Sequence, residues 1–390
     1  MESLPLRILL VANTLPPTDL SGVGEQVVQL AGGLREAGDD VVVLGRGAGA
    51  AAGPKLLFPL TVLPPFWRAL RRWRPHVVQV HESDGALVAL LAAVLAPTLE
   101  PRPVIAALLQ VSYVEERRAV RPLVAGGRVI GRPGARERRF RWLKAPFQVL
   151  LGWLTAALAD VVLAPSESTA RELARDYGLS DVGLLPNVSG GLAIEPAPLP
   201  QPPPPDGFWL FLGRLRIRKG VEVLLEALRQ LGGDAARPEL WIAGDGEHRR
   251  ALERTTQRLG LDGRVRFLGR CDAAVVGALL AQCRALVVPS TYEGMPLVVL
   301  EAMAAAAPVV ASAVSGIPEV VQDKVTGWLV PAEDPRALAA ALTQAADPAE
   351  AQRRGEAGRR RLEERFRPAA AVAAWHQALA PYLSRSETPP

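Results

Sequence analysis

Two glutamates with seven residues between them, Glu293 and Glu301, stand in the stretch Pro289-Ser290-Thr291-Tyr292-Glu293-Gly294-Met295-Pro296-Leu297-Val298-Val299-Leu300-Glu301-Ala302-Met303-Ala304. Ahead of it runs Ala285-Leu286-Val287-Val288, apolar and of strand length; behind it Leu297 to Ala305 forms a helix-compatible run without Gly or Pro. The order is therefore strand, tight loop, helix. A helix that opens after a Gly-containing loop directs unpaired N–H groups and partial positive charge at whatever lies above it, which suits a phosphate. Two carboxylates beside such an anion repel it unless they receive hydroxyl groups instead, and sugar and ribose hydroxyls are the natural candidates. For this fragment alone, a βα unit with two surface glutamates is the competing reading.

Other segments carry compatible chemistry. Gly213-Arg214-Leu215-Arg216-Ile217-Arg218-Lys219-Gly220 lies between a strand and a helix, and a guanidinium with an ammonium at a helix start suits a diphosphate. Ala243-Gly244-Asp245-Gly246 is a flexible strand-to-helix turn able to approach a ligand closely. In the first half, Ser21-Gly22-Val23-Gly24 follows the first strand, and its backbone N–H groups suit a phosphate, although it lacks the third glycine of the dinucleotide fingerprint. His81, just past the strand His76–Val80, reaches the same strand edge. A solvated basic turn, a plain glycine turn and a structural histidine are the respective alternatives; convergence of the segments on common sheet edges favours the ligand reading.

The elements needed to position these groups are present. Apolar strand-length runs alternate with helix-period segments: Arg7–Ala12, Val41–Leu44, His76–Val80, Val104–Leu108, Val161–Ala164 and Val182–Leu185 in the first half. Trp209–Leu212, Leu240–Ala243, Val265–Leu268, Leu286–Val288 and Val309–Ala311 follow in the second. Repeated βα units imply parallel sheets covered on both faces. Between the halves, residues 195–205 hold seven prolines, a composition no packed element tolerates. The expected plan is α/β: a first Rossmann-like domain over residues 1–190, a Pro-rich linker over 191–206, a second over 207–366, and a last helix over 367–384. Two doubly wound domains would face a cleft, with ligands at the C-terminal strand ends.

Composition narrows the function classes. The chain has 390 residues, 49% hydrophobic and 22% charged, as expected of a soluble globular protein of two domains. Its net charge of +5 is too small to argue for nucleic acid. Residues 115–144, however, hold ten Lys/Arg against three Glu, a local excess larger than that of the whole chain. Two cysteines, Cys271 and Cys283, build no disulfide framework and have no zinc-ligand spacing, which fits a reducing cytoplasm. The longest uncharged runs are shorter than the ~20 residues a membrane span requires.

Together the motifs resemble glycosyltransferase family 4, retaining enzymes of the GT-B fold, from residue 7 to about residue 380. Gly213-Arg214-Leu215…Lys219-Gly220 is similar to the family's GRL…KG loop, Gly244-Asp245-Gly246 to its GDG turn, and Pro289-Ser290…Glu293-Gly294 with Glu301-Ala302-Met303-Ala304 to its PS..EG…EAMA signature. Pro308-Val309-Val310-Ala311 and Gly316-Ile317-Pro318-Glu319 continue the pattern. The resemblance implies that Arg214 and Lys219 hold a donor diphosphate, that Glu301 binds ribose and that Glu293 lies against the transferred sugar. It also implies catalytic roles for Glu293, Arg214 and Lys219, and donor contacts at Gly22, Gly24, Gly244, Gly294, Met295 and Leu297. Three positions depart: the family's His after the strand Val104–Leu108 is replaced within Leu108-Leu109-Gln110, a usual glycine is replaced within Ala304-Ala305-Ala306-Ala307, and the usual Gly after Pro-Asn is Val188.

The expected activity is transfer of a hexose-type sugar from a nucleotide-diphosphate sugar, as donor substrate and not cofactor, to a glycan or lipid-linked acceptor. His81 and Gln110 are the acceptor-side candidates. No DxD triplet occurs, so no metal is expected. A non-catalytic sugar-nucleotide-binding scaffold is the alternative that Leu109 supports; a nicotinamide-dependent dehydrogenase is opposed by the incomplete glycine fingerprint. Phe66–Arg74 and Arg117–Lys144 set basic residues beside Trp and Phe, a composition suited to an anionic membrane surface. The localisation expected is cytoplasmic, peripheral on the membrane's inner face, with no nucleic acid partner.

Overall fold

A computed structural model describes residues 5–16, 22–46, 57–189, 198–232 and 238–386. Ser21 and residues 191–197 of the Pro-rich linker lie outside them. In chain order the strands are β1 (Arg7–Ala12), β2 (Asp40–Gly45), β3 (Val77–His81), β4 (Val104–Leu108), β5 (Leu123–Ala125), β6 (Arg128–Gly131), β7 (Val161–Ala164) and β8 (Gly183–Leu184). They continue as β9 (Phe208–Leu212), β10 (Glu239–Ala243), β11 (Val265–Gly269), β12 (Ala285–Val288), β13 (Val309–Ser312) and β14 (Gly327–Val330).

The chain forms two compact units. The first comprises residues 1–114, 145–188 and 367–390. Its sheet is parallel throughout, in the order β2-β1-β3-β4-β7-β8. Alternate residues of each strand face opposite sides. Ile8, Leu10, Val77, Ala106 and Leu163 pack with the helices Gly22–Glu36 and Pro368–Ser386, through Val27, Leu34 and Trp375. Leu9, Val11, Val78, Val80 and Ile105 pack on the other side with Phe58, Phe66, Leu70 and Val88.

The second unit comprises residues 115–144 and 189–366. Its six parallel strands run β11-β10-β9-β12-β13-β14. The order reverses direction between β9 and β12, so their carboxyl ends open the crevice in which doubly wound sheets bind ligands. The edge strand β14 has no counterpart in the sequence reading: Thr326-Gly327-Trp328-Leu329-Val330 has too short an apolar run to be recognised alone.

Residues 115–144 correct the expected boundary at residue 190. They were assigned by chain position to the first domain, but they pack on the second unit. Val120 and Leu123 are buried in its core with Leu224 and Leu228, and β5 and β6 form a separate antiparallel hairpin beside the helix Val221–Gln230. The reason lies in the apolar residues set among the arginines: Val120 and Leu123 require a core, and this one receives them.

The replaced glycine after the helix Leu297–Ala304 has a visible consequence. Ala307 N–H bonds to Ala302 O at 2.8 Å and Ala306 N–H to Met303 O at 3.0 Å, a Schellman closure. Its left-handed residue is Ala306, with φ +53°. An L-residue pays about 1–2 kcal/mol there, and a glycine gives back about 0.5–1 kcal/mol in chain entropy. Ala306→Gly is therefore expected to stabilise the protein by about 0.5–1 kcal/mol, read as a higher urea midpoint at unchanged slope. A midpoint at or below that of the parent would contradict it.

Candidate active site

The three loops at the carboxyl ends of β9, β10 and β12 meet backbone against backbone. A Cβ on Gly220 would lie 2.0 Å from Pro289 O, one on Gly244 1.9 Å from Gly213 O, and one on Gly246 2.2 Å from Leu215 O. Gly213, Gly220 and Gly244 also have φ of +149°, +67° and +140°. No residue with a side chain fits these approaches. Hydrogen bonds then tie the loops: Leu215 N to Asp245 O at 3.0 Å, Thr291 N to Arg218 O at 2.8 Å and Gly316 N to Gly294 O at 3.0 Å. The convergence expected from the sequence is thus a property of the second unit.

At the junction Lys219 Nζ donates to Glu293 Oε1, which also accepts from Ser290 Oγ at 2.7 Å. Arg218 stands 3.7 Å from Glu293 Oε2 and 3.5 Å from Glu116 Oε1, and its Nη1 donates to Tyr292 O at 3.1 Å. Arg218 Nε, buried, has no partner among the described residues. Burial acts to raise the Glu293 carboxyl, but Lys219 and Arg218 outweigh it and hold the group below its ordinary range, ionised. Arg216 lies 3.3 Å from Glu247 and 3.8 Å from Glu116. Arg214 is exposed. Three of the loop's four cations, Arg216, Arg218 and Lys219, thus meet the carboxylates of Glu116, Glu247 and Glu293, and Arg214 stands exposed beside them.

Gly294 and Met295 are buried in the same loop, and Leu297 opens the helix that carries Glu301 one turn on. Its N-cap, Pro296, offers no side-chain hydrogen bond, so the first N–H groups of the helix are uncapped by side chains. Glu301 is half-buried.

Some residues of this region were missed in the sequence. Glu137, from the stretch 115–144, accepts from Ile217 N at 2.6 Å and from Gly134 N at 2.8 Å. It also lies 3.2 Å from His248 Nδ1, whose Nε2 contacts Glu222. All three side chains are almost wholly buried. Burial lowers the imidazole's affinity for its proton, but hydrogen bonds to Glu137 and Glu222 prevail and raise His248 to about 10. A charged histidine between two carboxylates therefore anchors Ile217, two residues before Lys219. The signal available was a histidine two residues beyond Gly246; its partners, 26 and 111 positions away, were not legible.

The first unit holds the remaining candidates. Gly22 opens the helix Gly22–Glu36 and is exposed; Gly24 is buried, and a Cβ there would lie 2.4 Å from Thr14 O. His81 ends β3 and is 2% exposed, and burial lowers its pKa to about 3, so it is neutral. Its tautomer follows from its neighbours. Trp375 Nε1 donates to Gln79 Oε1 at 2.6 Å, which turns the amide nitrogen of Gln79 towards His81 Nε2, 3.1 Å away. An indole N–H can only donate, so His81 Nε2 accepts and Nδ1 carries the proton. That Nδ1, like Gln110 Nε2, has no partner among the described residues. Gln110 Oε1 accepts from Asn187 Nδ2 at 2.9 Å. Leu109 is buried with Tyr113, Leu173 and Tyr177, a core position. Glu82, overlooked in the sequence, has φ +62°, accepts from Gln110 N at 2.9 Å and receives the Tyr113 hydroxyl. Such strained backbone concentrates at functional sites.

Residues 200–361 match the family model described as glycosyl transferases group 1, and residues 20–188 match that of Glycosyltransferase Family 4. Glycogen synthase of Mycobacterium tuberculosis is 29% identical over 404 residues, covering 93% of this chain and 91% of that protein. Alpha-maltose-1-phosphate synthase of the same organism is 33% identical over 242 residues, covering 54% of this chain and 61% of that protein. Among solved structures, sucrose-phosphate synthase from Thermosynechococcus elongatus matches with a TM-score of 0.75 at 23% identity, over 97% of this chain and 100% of that one. Anabaena Alr3699/HepE in complex with UDP and glucose matches with a TM-score of 0.69 at 17% identity, over 96% and 100%. These structures establish the fold as α/β of the GT-B type, with two Rossmann-like parallel-sheet units.

The buried His248 makes a prediction. Its proton affinity is higher folded than unfolded, so its stabilising contribution is complete below about pH 6.5 and is lost as pH rises through about 10. Unfolding midpoints of the parent should fall across that window, and those of His248→Gln should start lower and fall less. Parallel curves would show that the imidazolium does not hold the loop.

Proposed function

The chain belongs to glycosyltransferase family 4, and from that premise we propose that it moves a hexose-type sugar from a nucleoside-diphosphate donor to an acceptor with retention of anomeric configuration. The observation that carries this reading is the Lys219–Glu293 contact beside the uncapped start of the helix Leu297–Ala304, at the switch point of the second sheet. Arg214, Lys219 and the helix N–H groups hold the diphosphate; Glu301 receives the ribose hydroxyls; Glu293 lies against the sugar.

In this reading the bond from the sugar's anomeric carbon to the β-phosphate oxygen breaks, and a bond to the acceptor oxygen forms on the same face. The acceptor's proton passes to the departing phosphate. Arg214, Lys219 and the helix N–H groups stabilise the charge that develops there, so positioned cations and N–H groups supply the electrostatic work without a bridging metal. Closure around the donor excludes water and suppresses hydrolysis. On the acceptor side, His81 Nδ1–H and Gln110 Nε2–H are buried donors without a partner among the described residues, and an acceptor hydroxyl at either would offset a cost of about 1–3 kcal/mol. The acceptor is a lipid-linked or membrane-proximal glycan, which the basic, aromatic-bearing stretch Phe66–Arg74 of the first unit supports.

UDP-glucose is the first donor to test, because Alr3699/HepE has been crystallised with it. Calorimetry should show binding of the donor and of UDP, and an added acceptor extract should release UDP. Arg214→Ala, at an exposed position, should lower donor affinity about tenfold or more, the loss of a charge-assisted contact worth about 1.5–3 kcal/mol. Unchanged affinity would remove Arg214 from the site. Glu293→Gln should depress turnover more than binding, whereas Glu301→Ala should weaken bare UDP as well; the reverse order would exchange their roles. Donor binding with neither hydrolysis nor transfer, across a panel of nucleotide sugars, would favour a non-catalytic scaffold.

A further inference from the structure

One face of the first sheet is covered by four helices whose composition is unusual for a water-facing layer. They are Phe58–Thr61, Leu63–Trp73, Ala86–Leu95 and Ala145–Leu158. The first packs on the second and third, and the third on the fourth, so they form one continuous layer. Their inward residues fill the core: Phe58, Phe66, Leu70, Val88 and Ala92 are buried. Their outward residues remain apolar. Leu60 is 58% exposed, Val94 63%, Phe147 59% and Leu150 56%, with Leu90 and Trp153 also exposed.

The charges in the layer have one sign. The four helices together carry three ionisable side chains, Arg68, Arg71 and Arg72, and no Asp or Glu. All three arginines are exposed, and Arg71 stacks over Trp67 at 4.5 Å. The helices Ala86–Leu95 and Ala145–Leu158 have no charged residue at all. An apolar strip with cations at one side is the pattern of an element lying in a membrane interface, apolar atoms in the acyl boundary and guanidinium groups among headgroups. No helix among the described residues is long and apolar enough to cross a membrane. A second copy of the chain fits less well, since a symmetric pairing of this face would bring arginines together with no acidic side chain on the layer to meet them.

We propose that the outward face of these four helices docks on an anionic lipid bilayer. This deepens the reading of a membrane-proximal acceptor and rests on it for its purpose, but it arises from different residues than the donor site. It also replaces the expectation that Arg117–Lys144 supplies the first unit's lipid contact, since that segment packs on the second unit.

The test is co-sedimentation of the full chain with vesicles of phosphatidylcholine alone or with phosphatidylglycerol, at low and moderate salt, alongside calorimetry with UDP. The parent protein should pellet with the anionic vesicles and less so as salt rises. Leu60→Ser/Val94→Ser/Leu150→Ser should bind about tenfold less or weaker, and Arg68→Ser/Arg71→Ser/Arg72→Ser should lose the preference for anionic lipid. Both variants change exposed positions and should keep the parent's affinity for UDP. Recovery of the parent in the supernatant with every vesicle, or pelleting of both variants as strongly as the parent, would overturn the proposal. So would a parent dimer that the serine variant converts to monomer without any vesicle binding, which would mark a face between copies. Vesicle binding without UDP binding would instead leave the docking face standing and remove the donor reading.

Discussion

The candidate site depends on a steric constraint: three loops of the second unit touch through their backbones. Pro289 O occupies the space a side chain would need at Gly220, and Gly213 O occupies that space at Gly244. Because the contact is between main chains, it leaves little slack, and it sets the positions of Lys219 and Glu293, which lie beside those contacts. Preorganised charge is effective because it need not be rearranged when the reacting charge develops. The ion pair is therefore a consequence of the glycines as much as of its own attraction.

The stretch 115–144 adds a second support. It leaves the first unit's chain path, packs Val120 and Leu123 into the second unit's core, and places Glu137 against Ile217 N and His248. Two buried carboxylates alone would repel each other; the histidine between them makes the cluster tenable by holding its proton. Such a cluster adds little net stability relative to an apolar core, but breaking it leaves an uncompensated buried charge at a cost of about 3–5 kcal/mol. It acts as a lock on geometry. Glu116 from the same stretch faces Arg216 and Arg218, so the segment also trims the charge of the loop.

The two sheets differ in how they treat their carboxyl edges. In the second unit the polar groups of the edge largely engage one another. In the first, His81 and Gln110 retain donors without partners among the described residues, and Glu82 holds a positive φ. Leu109, where the family resemblance has a histidine, is instead committed to the core with Tyr113 and Tyr177. A side chain packed there cannot meet a ligand, so the polar work of that edge falls to its neighbours.

The sequence by itself determined the local elements and the motif loops. Strands such as Val104–Leu108 and Val161–Ala164 were legible because buried parallel strands are continuous apolar runs. The glycines and the basic loop were legible because short-range conformation and charge are properties of neighbouring residues. What only the tertiary structure decided was every pairing across distance: Lys219 with Glu293, Glu137 with His248, Gln79 with Trp375, and the packing of the four helices into one layer. It also decided that the arginine-rich segment belongs to the second unit. Chain position records only adjacency in sequence, whereas burial of Val120 and Leu123 depends on which core has room for them.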